Sequence, residues 1–362
     1  MRIYTLTSLR FFGALGIYLH HLGYGHGAMG CIAISFFFLL SGFIMAYNYN
    51  EKFSEISSKD FLEYLLHRIM RIYPLYVLTF IVSIPLEQIL HQETNIKNTL
   101  LVAFLLQTYL PIGVQAFSYN GVSWFIADIL FFYAITPFIL LLYHRTKIIR
   151  NGKVLLISLF FTFLIAFIIS YVFRDTMEPY HLGYWFIFIS PYYRIFDYLL
   201  GFQSGLIFLL VKDKIRDNKM LLFSSLEIGS IIFLAISYHF DFLAFDSLVC
   251  DLYYDPALII IIFIFAIQGG ILSSHLLSLR TLINLGKISY GIYIIQYVII
   301  LYFAYLFSYN IFDTTSLNNV PIKITLFILI VILSFASNRF FEKPIKIHFE
   351  TYLQRMIRTY FK

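Results

Sequence analysis

Residues Gly30–Tyr49 read GCIAISFFFLLSGFIMAYNY, a run of twenty residues without one charged side chain. A helix needs about 20 consecutive apolar residues to cross the hydrocarbon core of a bilayer. A helix also satisfies every backbone N–H and C=O within its own segment, which lipid cannot do. The stretch therefore predicts a transmembrane helix.

The rest of the chain repeats this pattern. Sixty per cent of its 362 residues are hydrophobic and only 13% are charged, whereas about a quarter of the residues of a soluble domain are charged. This composition excludes a soluble protein and predicts an all-α, polytopic transmembrane helix bundle of about ten spans. The expected spans are 6–24, 30–49, 72–90, 123–143, 153–173, 183–211, 220–239, 256–273, 285–307 and 321–341. Leu100–Tyr109 is too short to cross, so we expect a re-entrant or interfacial piece there.

The basic residues predict the orientation. Most of the 26 Lys and Arg residues fall in alternate connecting segments and in the tail, and only Lys97, Arg174 and Lys323 fall in the opposite set of segments. Cytoplasmic loops carry such an excess of Lys and Arg. We therefore expect a plasma (inner) membrane protein with both termini in the cytoplasm. We also attribute the net charge of +6 to this topology and not to nucleic-acid binding.

The chain is expected to form one transmembrane domain over residues 1–345, followed by a short basic cytoplasmic tail over 346–362. Its two cysteines, Cys31 and Cys250, have neither the spacing of metal ligands nor that of a disulfide framework. They are interpreted as small apolar fillers, and no metal site is predicted.

Arg10 and His21 are charged or titratable residues within the first span. They stand eleven residues apart, which is about 20° beyond three full turns of a helix, so both lie on one face and about 16 Å apart along the axis. An intramembrane ionisable residue suggests a functional site. The alternative is a packing histidine and an arginine that extends its head to the membrane surface.

Arg68 and Arg71 are spaced i, i+3 at the expected entrance to the third span, so they share a helix face. Two guanidinium groups suit a phosphate or pyrophosphate, which arginine binds through paired donors. The alternative is an ordinary pair of cytoplasmic anchoring charges.

Arg194 and Asp197 share the same i, i+3 spacing, and a mutual ion pair would lower the cost of burying each. They are candidates either for a ligand site or for a structural pair between helices. Asp128, within the fourth span, has no partner nearby in the sequence and is expected to face the interior of the bundle.

Seven motifs in this order resemble the acyltransferase-3 family of integral membrane acyltransferases, over nearly the whole chain. They are Leu9–Leu15 (LRFFGAL) with His21 after Arg10, Phe36–Phe43 (FFFLLSGF), Arg68–Pro74 (RIMRIYP), Trp124–Tyr133 with Pro137, Arg194 with Asp197 and Gly201, Gly286–Tyr293 (GKISYGIY), and Phe341–Pro344 (FEKP). Two positions depart from the family pattern. Ile129 stands where many members have Glu, and Gln296 stands where many have His. The roles of Asp128 and Gln296 therefore stay open.

The resemblance implies a stand-alone carbohydrate O-acyltransferase of the cell envelope. It would move an acyl group, commonly acetyl, from cytoplasmic acyl-CoA to a hydroxyl of a cell-surface polysaccharide or lipid-linked carbohydrate. His21 would act as general base or as a transient acyl carrier, and Arg10 would hold its environment or contact the donor. Arg68 and Arg71 would dock the coenzyme A phosphates, and Arg194 with Asp197 would guide the acceptor or join helices.

Two other functions are compatible with many spans and a few buried charges. A polysaccharide or lipid-linked sugar transporter would need no acyl donor, so donor dependence separates it from a transferase. A non-catalytic membrane sensor or scaffold is disfavoured by the polar residues along one face of the first span.

Overall fold

The structure is a computed structural model that describes residues 3–25, 27–91, 95–111, 116–176, 181–215, 219–240, 250–307 and 319–360. Within these ranges the chain is helical and contains no strand. The helices are α1 Tyr4–His21, α2 Ala28–Tyr49, α3 Ser58–His91, α4 Ile96–Ala103, α5 Ser123–Arg145, α6 Gly152–Phe173, α7 Leu182–Tyr184, α8 Pro191–Val211, α9 Met220–Phe240, α10 Cys250–Ile267, α11 Arg280–Lys287, α12 Ser289–Leu306, α13 Val320–Ser337 and α14 Lys343–Tyr360.

Every predicted span coincides with a helix, and the polytopic bundle is confirmed. Eight helical stretches are long and apolar enough to cross a membrane, judged by length and composition. The two other predicted spans correspond to α1, which carries Arg10, and to α10, whose apolar part is the shorter Leu252–Ile267. The stretch predicted to be re-entrant begins with the short helix α4, which ends at Ala103.

Two spans differ in detail from their prediction. Helix α3 begins at Ser58 and not at residue 72, and its 34 residues extend about 51 Å, well beyond the roughly 30 Å hydrocarbon core. The expected span 183–211 is broken: α7 and a π-helical turn, Trp185–Ile189, end at Ser190. Ser190 has an extended backbone and Pro191 opens α8. Proline disfavours the helical conformation in the preceding residue and is well suited to a first helical position, so the Ser-Pro pair sets this break.

The centre of the bundle is the contact between α2 and α8, which depends on glycine. A Cβ atom at Gly42 would collide with the carbonyl of Tyr198, and one at Gly201 would collide with the carbonyl of Leu39. Small residues allow membrane helices to approach to backbone contact. The glycines of the second and fifth motifs are therefore packing residues.

Hydroxyl groups attach α1 and α12 to their neighbours through backbone carbonyls. On α1, Ser8 Oγ donates to Leu277 O at 2.6 Å and Tyr18 OH donates to Lys323 O at 2.5 Å. On α12, three tyrosines do the same: Tyr290 to Ile72 O, Tyr293 to Val122 O and Tyr302 to Val82 O, all at 2.6–2.7 Å. These bonds fix the positions of the helices that carry Arg10 and His21 on one side and Tyr293 and Gln296 on the other.

The predicted tail is helical as far as Tyr360, and its last two positions lie outside the described residues. A π-helical turn, Asn338–Glu342, connects α13 to α14, so the chain stays helical across the expected domain boundary at residue 345. The domain division itself stays a prediction.

Candidate functional site

A cavity of about 580 Å³ lies between α1, α2, α3, α5, α12 and the start of α14. It occupies the end of the bundle at which α1 begins and α2 and α5 end, where the His144 ring meets the carbonyl of Asn50 at 2.5 Å. We call this the basic end and its opposite the far end. Six cationic side chains and one carboxylate line the cavity: Arg10, Arg68, Arg71, Lys287, Lys343, Lys346 and Glu342.

Arg68 and Arg71 line the same cavity but differ in their surroundings. Arg68 is 8% exposed, and its guanidinium lies over three aromatic rings, 4.8 Å from Tyr49, 5.5 Å from Tyr64 and 5.1 Å from Tyr133. Its Nε has no hydrogen-bond partner within the described part of the chain. Arg71 is exposed. Arg68 is thus a fixed cation in an aromatic cage, and Arg71 is a cation at the cavity rim.

Three aromatic rings line the far end of the cavity. Phe37, Phe125 and Tyr293 are the lining residues farthest from the basic end on α2, α5 and α12 respectively. Their ring centroids are 6.0 Å apart for Phe37 and Phe125, 6.3 Å for Phe37 and Tyr293, and 5.4 Å for Phe125 and Tyr293. We call them the ring barrier. Along α1 they lie at the level of Gly13, where a Cβ atom would be 3.0 Å from the Phe37 ring, and so between Arg10 and His21.

Helix α1 connects the two sides of this barrier. Arg10 lines the cavity, whereas His21 does not. The His21 ring is half-buried and lies 5.1 Å from the ring of Tyr297 on α12. His20 packs in a different direction, with its ring against Gly30 of α2. The two adjacent histidines therefore face different helices, as the periodicity of α1 predicts.

Arg194, Asp197 and Asp128 come together in a second buried cluster. Arg194 Nη1 lies 3.2 Å from Asp197 Oδ2, and Arg194 Nε donates to Phe188 O at 2.8 Å. Asp128 lies within electrostatic range of both residues and near the Thr108 hydroxyl. All three charged side chains are fully buried, and none lines the cavity. The three side chains therefore lie close to one another, and their cluster is separate from the cation-lined cavity.

Sequence reasoning missed half of the cavity's cations. It treated Lys287, Lys343 and Lys346 as topology charges only. Two of them lie in the closing motifs Gly286–Tyr293 and Phe341–Pro344, which were a usable signal. Ser289, also in the first of these motifs, lines the cavity with a buried hydroxyl that has no partner among the described residues. No group of three or more potential metal-ligating side chains occurs in the part of the chain that the structure describes.

Comparison with known proteins is consistent with this arrangement. The family model for the acyltransferase domain, acyltransferase 3, matches residues 3–339. Acyltransferase MdmB of Streptomyces mycarofaciens is 28% identical over 156 residues, which are 38% of this chain and 39% of that protein. The chain therefore matches well under half the length of this relative. No solved structure matches. Since the family match extends over nearly the whole chain, the protein belongs to the acyltransferase-3 family.

Proposed function

We propose that the protein is a membrane O-acyltransferase that moves an acyl group, acetyl in the simplest case, from cytoplasmic acyl-CoA to a hydroxyl of a cell-surface or lipid-linked carbohydrate. One observation carries the proposal: a chain of this family gathers six cationic side chains around one cavity at the basic end of the bundle. Such a cavity suits a polyanionic donor.

The cationic lining suits the phosphates of the donor. Coenzyme A carries a pyrophosphate and a further phosphate, and guanidinium groups bind phosphate oxygens through two parallel N–H donors. Arg68 is held in orientation by three tyrosine rings, so little side-chain freedom is lost when it binds. Deeper in the cavity the wall turns apolar, with Phe37, Leu40 and Ile126, and suits the narrow arm that carries the thioester.

His21 is the catalytic residue on the acceptor side, and it can act in either of two ways. As general base, its imidazole takes the proton of the acceptor hydroxyl while the oxygen attacks the thioester carbonyl; the C–S bond breaks and the thiolate leaves with a proton from the imidazolium. As nucleophile, a ring nitrogen would first take the acyl group as the C–S bond breaks, and the thiolate would leave with the ring's N–H proton. The acceptor hydroxyl would then attack the acyl-imidazole, and its proton would return to the ring as the C–N bond breaks. Either route requires the ring barrier to part, because the barrier lies between the cavity and His21.

The orientation follows from the same assignment. The basic end faces the cytoplasm, where acyl-CoA is made, in a plasma-membrane protein with both termini inside. We expect a cysteine introduced at Thr176 to react with a membrane-impermeant thiol reagent in intact cells, and one at Lys153 not to, with Cys31 and Cys250 replaced by serine. Labelling of position 153 alone would reverse the orientation.

The direct test uses purified protein in lipid nanodiscs with radiolabelled acetyl-CoA and surface glycan from the host, stripped of its esters by mild alkali. We expect saturable acetyl-CoA binding and label in the glycan, and mass spectrometry should find esters missing from the glycans of cells that lack the protein. Glycan movement across the membrane without any need for acetyl-CoA would instead identify a transporter.

A further inference from the structure

Three buried primary amides beyond the ring barrier have hydrogen-bonding atoms that nothing in the described chain uses. They are Gln107 Oε1, Asn120 Oδ1 and both polar atoms of Gln296. Each of these residues is 0% exposed. Buried polar atoms in proteins almost always have a partner, and an unsatisfied amide costs about 1–3 kcal/mol. A group of unsatisfied amides in one region therefore indicates a binding partner for them.

All three amides lie around one junction. Gln107 Nε2 donates to Ser123 Oγ at 3.2 Å, at the start of α5. Asn120 Nδ2 donates to Ile294 O of α12 at 2.8 Å. Gln296 stands on α12 about one helical turn beyond Tyr293, toward the far end. The segment 116–123, which leads into α5, thus meets the middle of α12 here. We call the three residues Gln107, Asn120 and Gln296 the amide layer.

The amide layer adjoins His21. Gly121, the residue after Asn120, is so close to the Tyr297 ring that a Cβ atom there would lie 2.8 Å from its Cε1. Tyr297 follows Gln296 in the chain, and its ring lies 5.1 Å from that of His21. The layer is therefore on the histidine's side of the ring barrier, opposite the cation-lined cavity.

We propose that the amide layer binds the hydroxyl groups of the acceptor and presents one of them to His21. This inference rests on the proposed function and names the site of the second substrate. A hydroxyl both donates and accepts a hydrogen bond, and a primary amide offers the complementary pair, a carbonyl oxygen and an N–H₂ group. The layer's amides carry no charge, and the charged group next to them is a carboxylate, because Glu87 accepts from Tyr119 N at 2.8 Å. This site therefore suits a polyol and disfavours a polyanion, whereas the cavity suits a polyanion.

Gln296 gives the cleanest test, because neither of its polar atoms has a partner to lose, whereas Asn120 also attaches the segment to α12. Gln296→Leu keeps the side chain's approximate volume and removes both polar atoms, and Gln296→Asn shortens it but keeps the amide. Thr136→Val is the matched control: Thr136 is an equally buried polar residue whose hydroxyl bonds to Phe132 O and Tyr198 OH, away from the layer.

Each variant is purified in nanodiscs, and two quantities are measured: acetyl-CoA affinity, and the alkali-stripped host glycan concentration that gives half-maximal transfer. For Gln296→Leu we expect that concentration to rise at least tenfold, about 1.4 kcal/mol, with a smaller rise for Gln296→Asn. Acetyl-CoA affinity should stay within twofold, and Thr136→Val should match wild type in both.

Two results overturn the proposal and leave the proposed function standing: an unchanged glycan requirement in both Gln296 variants, or a parallel loss of acetyl-CoA affinity, which indicates a structural role. If wild-type protein neither binds acetyl-CoA nor transfers label, the proposed function fails and this inference falls with it. That failure appears in the wild type, so the two cases are distinguishable.

Discussion

The two ends of the bundle differ in the polar residues that they bury. At the basic end, the cavity gathers six cations, and the one that is most deeply buried, Arg68, is stabilised by tyrosine rings and not by a carboxylate. At the far end, the polar groups include three neutral amides, together with two buried charged residues. Glu87 accepts from Tyr119 N at 2.8 Å, and Lys323 Nζ lies 3.5 Å from Leu22 O. A cluster of cations at one end and amides with charges of both signs at the other fit a protein that receives a polyanion on one side and a polyol on the other.

The ring barrier keeps the two ends apart. Phe37, Phe125 and Tyr293 belong to three different helices, so the barrier opens only if side chains rotate or helices shift. Tyr293 is also attached to Val122 O, on the segment that carries Asn120 and Gly121. This hydrogen bond therefore links the barrier to the segment of the far-end site, and acceptor binding is positioned to influence whether the barrier opens.

The largest expected effect is a loss of acyl transfer without a loss of donor binding. Replacing His21 by alanine removes the base or acyl carrier, so transfer should fall by roughly 100-fold or more, while acetyl-CoA affinity stays within twofold. Radiolabel in the stripped glycan and equilibrium binding measure the two quantities. His20→Ala is the control and should keep most activity, since His20 faces Gly30 on α2. If His20→Ala were the inactive variant, the face assigned to His21 would be wrong.

The next largest effect should be on donor binding at the basic end, through Arg68 and Arg71. Charged hydrogen bonds contribute about 1.5–3 kcal/mol each, so Arg68→Gln combined with Arg71→Gln should weaken acetyl-CoA binding at least tenfold. Arg68→Lys should also bind poorly, because lysine cannot replace a guanidinium that both stacks on rings and offers paired donors. Arg71→Lys, at the exposed rim, should be milder. Unchanged affinity in the double variant would return both arginines to the role of topology anchors.

The sequence predicts most of the fold because hydrophobic length and basic-residue position are local signals. The face shared by Arg10 and His21 follows from the helical repeat alone. The cavity could not be predicted in this way: Lys287 and Lys343 are far from Arg68 along the chain, and only the packing of α3, α11 and α14 brings them together. The same holds for Phe37, Phe125 and Tyr293, each of which is an unexceptional aromatic residue within its own apolar helix.

A smaller effect should come from the ring barrier itself, tested through two glycines on α1. A Cβ atom at Gly13 would lie 3.0 Å from the rings of Phe36 and Phe37, whereas one at Gly16 would lie 3.5 Å from Ala33 Cβ. Gly13→Ala should therefore press on a barrier ring and lower the transfer rate several-fold at unchanged acetyl-CoA affinity. Gly16→Ala should behave like wild type. Equal effects of the two substitutions would mean that Phe37 does not limit passage.

The smallest effect concerns the lysines that α14 contributes to the cavity rim. Lys343 and Lys346 are exposed, and Lys346 already lies 3.7 Å from Glu350, so each should contribute as a screened surface charge and not as a rigid ligand. The Debye length shrinks from about 10 Å at 0.1 M salt to about 3 Å at 1 M. Lys343→Gln with Lys346→Gln should thus weaken acetyl-CoA binding about two- to five-fold at low salt, the size expected for exposed charges, and hardly at all at 1 M.

Lys153→Gln supplies the matched control for that measurement, because it removes an equally exposed cation that does not line the cavity. Its acetyl-CoA affinity should equal that of wild type at every salt concentration. A salt-independent loss in the α14 variant would indicate direct, desolvated contacts to the donor, and the rim would then belong to the rigid part of the site with Arg68. Identical behaviour of the two variants would restrict the donor site to α1, α3 and the start of α12, and would leave α14 as a helix that only closes the basic end.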